Sequence, residues 1–384
     1  MRLFLTLLAS TLCAALSSQV SAQASPSVPA QEDVPIAMLV DLSSGQILHQ
    51  RNADRRFMPA SITKVMTSYV AFEMLERGHL QLNETFRFNR SAFEEWGGRG
   101  STMFLNANAR PRVVDLLLGI TTVSANDASV VLAEGAAGSY AGWLELMNAE
   151  AENLGMTNSH FGTPNGWPDE GRTFTTARDL VSLGTALVYN HPERYRRFYG
   201  HREFTYRGIT QPNYEPFTGR IEGGDGIKTG FTNEAGFGVL GSAERAGRRL
   251  MLVVAGAPNN RLRSQAAREY MEWGFASFDS RRLYAPGETV GQARVQGGSA
   301  RHIGLMTPRV IAAAIPKGAQ RDISISVVYD GPVRAPIAAG EQIAELEIKV
   351  AGMETSRVPL YAADAVSKAG PFARVVNGII GWFT

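Results

Sequence analysis

The sequence predicts a mixed α+β domain over residues 34–280, a small all-β domain over 283–365 and a short amphipathic helix at 370–384. Three observations carry this reading. Strand-like runs stand at both ends of the first segment with helical periodicity between them, so strands remote in the chain share one sheet beside helices. From Leu283 to Ile348 the chain changes to short β-branched runs broken by glycine and proline, the signature of a small β domain. The tail carries Phe372, Val375, Val376, Ile379, Ile380, Trp382 and Phe383 with Arg374 as its only charge. It is too short to span a bilayer and suits a helix lying in the membrane interface.

With 384 residues, 44% hydrophobic and 19% charged, the chain can bury more than one core. A formal charge of +2, with scattered arginines, argues against a nucleic-acid partner. Met1-Arg2, the apolar run Leu3 to Leu16 and Val20-Ser21-Ala22 read as an export signal over 1–22. Cleavage near Ala22 removes Cys13, the only cysteine, which excludes disulfides, cysteine nucleophiles and thiolate metal sites. A Ser/Pro/Gln/Ala linker follows at 23–33.

In order, Ile36 to Leu42 and Gln46 to Arg51 flank the turn Ser43-Ser44-Gly45 and predict a β-hairpin. A helix opens at Ser61, with Ile62, Val65, Met66, Tyr69 and Val70 at buried-stripe spacing, and ends at Gly78. It is expected to be central. Val113 to about Leu154 is again helical, interrupted at Thr121 to Asn126 by what reads as a loop with exposed side chains. Thr163 to Gly171 is rich in turn formers and leads into a helix capped by Thr176. Gly223 to Thr232, Gly236 to Ala243 and Arg249 to Ala255 predict three more strands, and a helix from about Arg263 to Trp273 closes the unit. After Arg281-Arg282 come the runs Arg301 to Leu305, Val310 to Ile315, Ile323 to Tyr329 and Glu345 to Val350, which carry no catalytic constellation.

The chemistry lies in three short motifs. Ser61-x-x-Lys64 puts a hydroxyl and an amine on one face of a helix, about one turn apart. A serine needs a nearby base to become a nucleophile, and a desolvated lysine can be that base. A serine at a helix start is more often only a cap. Two features weigh against the cap. Lysine occurs only at Lys64, Lys228, Lys317, Lys349 and Lys368, and Ser124-Ala125-Asn126 and Lys228-Thr229-Gly230 follow in order, in an inter-helix loop and on a strand.

This ordered set resembles that of penicillin-binding proteins and class A β-lactamases, and within them the low-molecular-mass D-alanyl-D-alanine carboxypeptidases. The resemblance runs from about Val34 to Phe278 and continues into the β-rich domain and amphipathic tail. It implies a β-lactamase/transpeptidase-like α+β domain, with an antiparallel sheet and a helical subdomain. It further implies a serine D,D-carboxypeptidase that removes the terminal D-alanine of peptidoglycan stem pentapeptides through an acyl-enzyme on Ser61. β-Lactams would be covalent inhibitors, and no cofactor or metal is implied. The expected place is the periplasm, on the outer face of the cytoplasmic membrane.

Roles follow for single residues. Ser61 at a helix N-terminus sits beside free N–H groups that stabilise an oxyanion, and the resemblance implies the Phe231 N–H as a second donor. Lys228 near Lys64 depresses the latter's pKa. Ser124 relays the proton to the leaving amine and Asn126 holds the acyl-side amide. Lys228, Thr229 and an arginine suit the terminal carboxylate; the resemblance implies Arg263, by its position before Tyr270 to Trp273, with Arg261 as an alternative. Gly230 lets the strand approach the peptide. Two positions depart from the family: Phe231 stands where many relatives carry histidine, and Tyr214 where some carry arginine.

Other readings have weaker support. A class A β-lactamase would show a Glu-x-x-x-Asn within Leu154 to Thr176; Glu170 lacks the asparagine, and Ala125 replaces the usual aspartate. Added D,D-endopeptidase activity stays open. A catalytically silent peptidoglycan-binding envelope protein would be expected to have lost Ser61, Lys64 or Lys228, and all are present. The six histidines show no paired zinc-ligand spacing, and the Gly-x-Ser-x-Gly elbow of esterases is missing.

Overall fold

The computed structural model of the chain describes residues 27–29, 33–319 and 322–370. The expected export signal with Cys13, and the expected amphipathic helix beyond Gly370, lie outside the described residues. The first domain opens with β1 (Ile36–Asp41) and β2 (Gln46–Arg51). Helices follow: α1 (Lys64–Glu76), α2 (Arg90–Trp96), α3 (Val113–Thr122), α4 (Asn126–Ala137), α5 (Tyr140–Asn153), α6 (Ala177–Asn190) and α7 (Pro192–Phe198). After a hairpin of β3 (Glu203–Tyr206) and β4 (Ile209–Pro212), the chain returns through β5 (Gly224–Thr232), β6 (Gly236–Arg245) and β7 (Arg248–Ala257), and α8 (Asn260–Ala276) closes the domain.

The main antiparallel sheet has the order β2-β1-β7-β6-β5. Ile36 pairs with Ala255 and Asp41 with Leu250, so the two ends of the domain share the sheet as expected. Every residue of β1 is buried, because helices cover both faces. Ile36, Met38 and Val40 join the core that includes α1 and α6, while Ala37 and Leu39 meet Tyr270 and Met271 of α8. Strand β7 alternates the same way, with Met251 and Val253 on the first face and Leu250 and Leu252 on the second. Helix α1 runs through the interior, every residue from Lys64 to Phe72 being buried. The helix is buried on every side and carries Lys64, Thr67 and Ser68 in with its apolar residues.

The second domain holds β8 (Phe278–Tyr284), β9 (Thr289–Gln296), β10 (His302–Met306), β11 (Ile311–Pro316), β12 (Ile323–Val328), β13 (Val333–Arg334), β14 (Gln342–Val350) and β15 (Ser356–Ala362). Six of these form a sheet in the order β12-β14-β15-β10-β9-β13, and β8 pairs with β11. Ile303, Leu305, Leu346, Ile348, Val358 and Leu360 are in its core. The domains are joined by polar contacts: the fully buried Gln46 donates to Ala314 O at 3.0 Å and accepts from Ala314 N at 2.6 Å. Ser356 Oγ donates to Ser44 O at 2.8 Å. No helix among the described residues is long and apolar enough to cross a membrane.

Three expectations need correction. The α-helix begins at Lys64, and Ser61 sits in a preceding 3-10 turn, Ala60–Thr63. Ala60 is left-handed with φ 50°, and Ile62 N donates to Pro59 O at 3.2 Å, a tight turn that precedes regular helix. The loop around Ser124 is not exposed: Thr121, Thr122, Val123, Ala125 and Asn126 are buried, since residues 99–105 fold over it. The expected boundary at Arg281-Arg282 falls inside β8, whose pairing with β11 runs from Phe278 to Tyr284. Helices α2 and α7 and the β3–β4 hairpin were not expected; all are short, and short elements give little periodicity to read.

Candidate active site

Two glycines let backbone segments close on the Ala60–Thr63 turn. A Cβ on Gly230 of β5 would lie 2.3 Å from Pro59 O, and one on Gly166, whose φ is 73°, would lie 1.8 Å from Ala60 O. Only glycine permits either approach. The loop around Gly166 and the edge strand β5 thus both contact the turn that bears Ser61.

Lys64 is 1% exposed. Its Nζ donates to Ser61 Oγ at 2.9 Å and to Asn165 O at 2.6 Å. Burial pushes its pKa well below the usual lysine value, the Lys228 charge pushes the same way, and Asp127 opposes both. The neutral amine keeps two N–H donors and gains a lone pair. With one N–H engaged by Asn165 O, the lone pair can face Ser61, whose hydroxyl then donates to Nζ.

A second wall comes from the α3–α4 loop. Ser124 has φ 64°, the left-handed conformation that commonly ends a helix and that favours glycine. Its side chain is half-buried. Asn126 donates from its backbone to Ser101 O at 2.7 Å and from Nδ2 to Arg99 O at 2.9 Å. Next to it the buried Asp127 carboxylate accepts from Met103 N at 3.0 Å, Leu105 N at 3.1 Å and Ala128 N at 2.8 Å. Those bonds tie residues 101–105 to the start of α4. The Arg99 guanidinium lies 5.0 Å from the Trp96 ring and 4.7 Å from the Trp167 ring, and this cation–π contact links residues 96–99 to the Gly166 loop.

The third wall is β5, the sheet's edge strand. Lys228 is 4% exposed and donates to Thr229 O at 3.0 Å. Burial and the nearby Arg263 lower its pKa to about 7, against the pull of Glu215. Thr229 is half-buried. The Phe231 ring is exposed and stacks on Phe237 at 4.1 Å. Arg263, near the start of α8, is 4% exposed; burial lowers its pKa to about 10. Its Nη2 donates to Tyr214 O at 3.3 Å and to Asn260 Oδ1. Arg261 is exposed, and so is the Tyr214 ring.

Ser61 and Lys64 are therefore bonded directly, and Lys64, Lys228 and Arg263 are coupled in series by charge. Ser124 and Asn126 stand on the facing loop and bond to neither Ser61 nor Lys64. Sequence reasoning missed Asn165 and Gly166 behind the lysine, Asp127 beside the second motif and Glu215 behind the third. Asp127 could have been suspected, since it follows Ser124-Ala125-Asn126 directly. Nothing local marks the others.

A serine bonded to a buried lysine, at the entry to a central helix and against the edge of an antiparallel sheet, defines the penicillin-binding class of serine enzymes. Comparison with known proteins narrows the class. Residues 20–259 match the D-alanyl-D-alanine carboxypeptidase family, and residues 278–368 match the C-terminal domain of penicillin-binding protein 5. The chain is 34% identical over 343 residues to D-alanyl-D-alanine carboxypeptidase DacC of Escherichia coli (strain K12), covering 88% of this chain and 85% of that protein. Penicillin binding protein 5 from Haemophilus influenzae matches with a TM-score of 0.73 at 32% identity, covering 89% of this chain and 100% of that one. Penicillin-binding protein D2 from Listeria monocytogenes, solved in an ampicillin-bound form, matches with a TM-score of 0.57 at 30% identity, over 63% of this chain and 98% of that one. The chain belongs to the D-alanyl-D-alanine carboxypeptidase family.

Proposed function

We propose that this protein removes the terminal D-alanine from peptidoglycan stem pentapeptides through an acyl-enzyme on Ser61, and that β-lactams acylate the same oxygen. The observation that carries this is the 2.9 Å contact between Ser61 Oγ and the buried Lys64 Nζ. Neutral Lys64 takes the hydroxyl proton as Oγ bonds to the scissile carbonyl carbon. The carbonyl electrons move to oxygen, where the N–H groups of Ser61 and Phe231 stabilise the charge. Collapse breaks the C–N bond, and the leaving D-alanine nitrogen receives its proton through the Ser124 hydroxyl. Water, deprotonated by Lys64, then releases the shortened peptide.

Binding uses the edge of β5, whose outward N–H and C=O groups have no partner strand among the described residues and can pair with an extended peptide. Protonated Lys228, Thr229 and Arg263 hold the terminal carboxylate; Asn126 holds the acyl-side amide, and Gly230 keeps the strand clear. Burial of Arg263 and its charge coupling to Lys228 favour it over the exposed Arg261. Slow release of a bound β-lactam is supported by the Gly166 loop. Glu170 is exposed, and the Asp169 carboxylate is occupied by Thr173 N at 3.0 Å and Thr173 Oγ1 at 2.6 Å.

Division of the chain into an export signal (1–22), a linker (23–33), a catalytic domain that ends with α8, a β domain that begins with β8 and an interfacial helix (370–384) belongs to the same reading. It puts the enzyme in the periplasm on the cytoplasmic membrane, a placement supported by the signal pattern and the apolar tail. The test is to incubate the mature enzyme and its Ser61→Ala variant with muropeptides of defined length and identify products by mass. Wild type is expected to shorten pentapeptides by one D-alanine and the variant to shorten none. Release by Ser61→Ala, or rapid steady hydrolysis of nitrocefin by wild type, would refute the reading.

A further inference from the structure

Where the two domains meet, a cleft of about 660 Å³ opens between the β6–β7 turn and the end of α8 on one side and β8 and β11 on the other. Its lining includes Arg245, Arg248, Phe275, Arg282, Val310 and Ala312. The lining itself joins the domains, since Ala312 N donates to Ser43 O at 2.9 Å and both residues face the cleft. Clefts of this size at domain junctions are common places for small ligands.

The charges around it are unequally paired. Arg245 is engaged by both carboxylate oxygens of Glu272, at 2.9 and 2.6 Å. Arg248 is 8% exposed. It donates from Nε to Asp41 Oδ2 at 2.6 Å and from Nη1 to Phe278 O at 3.2 Å, while Asp41 Oδ1 accepts from Ser43 N at 2.9 Å. Both guanidiniums lie over the one Phe275 ring, 4.3 and 5.6 Å from its centroid, so a single small molecule can reach the pair.

Two donors are left over. Arg248 Nη2 is buried with no hydrogen-bond partner among the described residues, although buried donors are nearly always paired. Arg282, opposite Ala312 in the β8–β11 pairing, is exposed and forms no hydrogen bond or ion pair among the described residues. A cation entering the cleft finds Glu272, the acid of the lining, already taken. An anion finds the Arg282 charge uncompensated and Arg248 Nη2 unpaired, beside the apolar side chains of Phe275, Val310 and Ala312. The chemical complement is a carboxylate carried on an apolar body.

We propose that this cleft binds a small organic carboxylate with an apolar body, its oxygens held by Arg248 and Arg282, and that such a ligand fastens the second domain to the first. The probe is phenylbutyrate, with phenylbutanol and phenylbutylamine as its neutral and cationic counterparts. Titration calorimetry and thermal unfolding of the mature protein are the readouts.

Wild type is expected to bind phenylbutyrate with a dissociation constant of about 0.1–1 mM, the range for a ligand of roughly a dozen non-hydrogen atoms. A roughly tenfold excess of ligand over that constant should raise the unfolding midpoint by about 2–4 °C. The alcohol and the amine should bind about tenfold more weakly, the loss of one charge-assisted contact. Arg282→Glu changes an exposed side chain and leaves the Asp41–Arg248 pair in place. It should keep the ligand-free midpoint and abolish the shift. Arg248→Lys, which keeps the charge but lacks the guanidinium fork, should weaken binding about tenfold. Equal affinity for the alcohol, a shift that survives in Arg282→Glu, or no binding by wild type would overturn the site. A carboxylate that lodged at Lys228 and Thr229 instead would bind Arg282→Glu as it binds wild type, and so falls among the overturning results.

Discussion

Replacing Gly166 by alanine tests whether the loop behind Lys64 sets the base. A Cβ there would lie 1.8 Å from Ala60 O and 2.8 Å from Thr63 Oγ1, whereas real Cβ contacts do not fall below 3.0 Å. The loop or the Ser61 turn must therefore yield by about 1.2 Å, on a scale where a 1 Å misplacement can cost roughly 100-fold in rate. Gly166 also has φ 73°, which costs an alanine about 1–2 kcal/mol, and overpacking adds about 1–3 kcal/mol. The loop carries Asn165 O, the acceptor that orients Lys64 Nζ at 2.6 Å. Retreat of the loop leaves a buried amine with one partner fewer. We expect second-order acylation by a fluorescent penicillin to fall about 100-fold and thermal unfolding to show a loss of about 2–5 kcal/mol. Acylation within twofold of wild type would refute the argument, and would do so most sharply if stability had fallen as predicted.

Three further predictions follow from other parts of the site and fold. Asp127→Asn replaces an acceptor of three backbone N–H groups with a group that must turn donors toward some of them. Chemical denaturation should show a loss of about 1–3 kcal/mol, and acylation should slow as the 101–105 segment that receives Asn126 N loosens; an unchanged midpoint would contradict this. The pH profile of kcat/KM for peptide should fall on both sides. Acylation is lost as pH drops through the depressed Lys64 pKa, because only the neutral amine is a base, and carboxylate binding is lost as pH rises through about 7, where Lys228 gives up its proton. Lys228→Arg should remove the alkaline limb, and a limb that persists there would assign it to another group. Gln46→Ala strips both partners from the Ala314 backbone at the domain junction. The expected cost is about 2 kcal/mol, read as a lower thermal midpoint, and a midpoint equal to wild type would show that water replaces the amide there.

How much of the site was legible depended on sequence distance. Ser61 and Lys64 are three residues apart, and one helical turn is enough to bring them into contact. The apolar runs of β1 and β7, bounded by turn residues, and the apolar positions of α1 are equally readable, because elements buried on all sides need such residues throughout. The Ser124 loop reads as exposed in the sequence, yet its polar residues are covered by residues 99–105, whose arrival no local pattern announces. Helical spacing puts Ser61 on the α-helix proper, while Ala60 in a left-handed conformation inserts a tighter turn. Asn165 escaped notice altogether: it lies 101 residues from Lys64 and acts through its backbone oxygen, a group that every residue possesses.

The sequence by itself determined the class of chemistry, because a hydroxyl and an amine at helix spacing, with two further motifs in order, are a local code for acyl transfer. The same was true of the two-domain α+β and all-β plan, which follows from hydrophobic period and turn residues. Only the tertiary structure decided that Lys64 is desolvated, that the Arg263 charge bears on Lys228, and that a glycine-lined approach aims the amine at Ser61. Those properties arise from burial and from charges brought together across the chain. The pKa of a lysine depends on what surrounds it in space, and its neighbours in sequence do not state that.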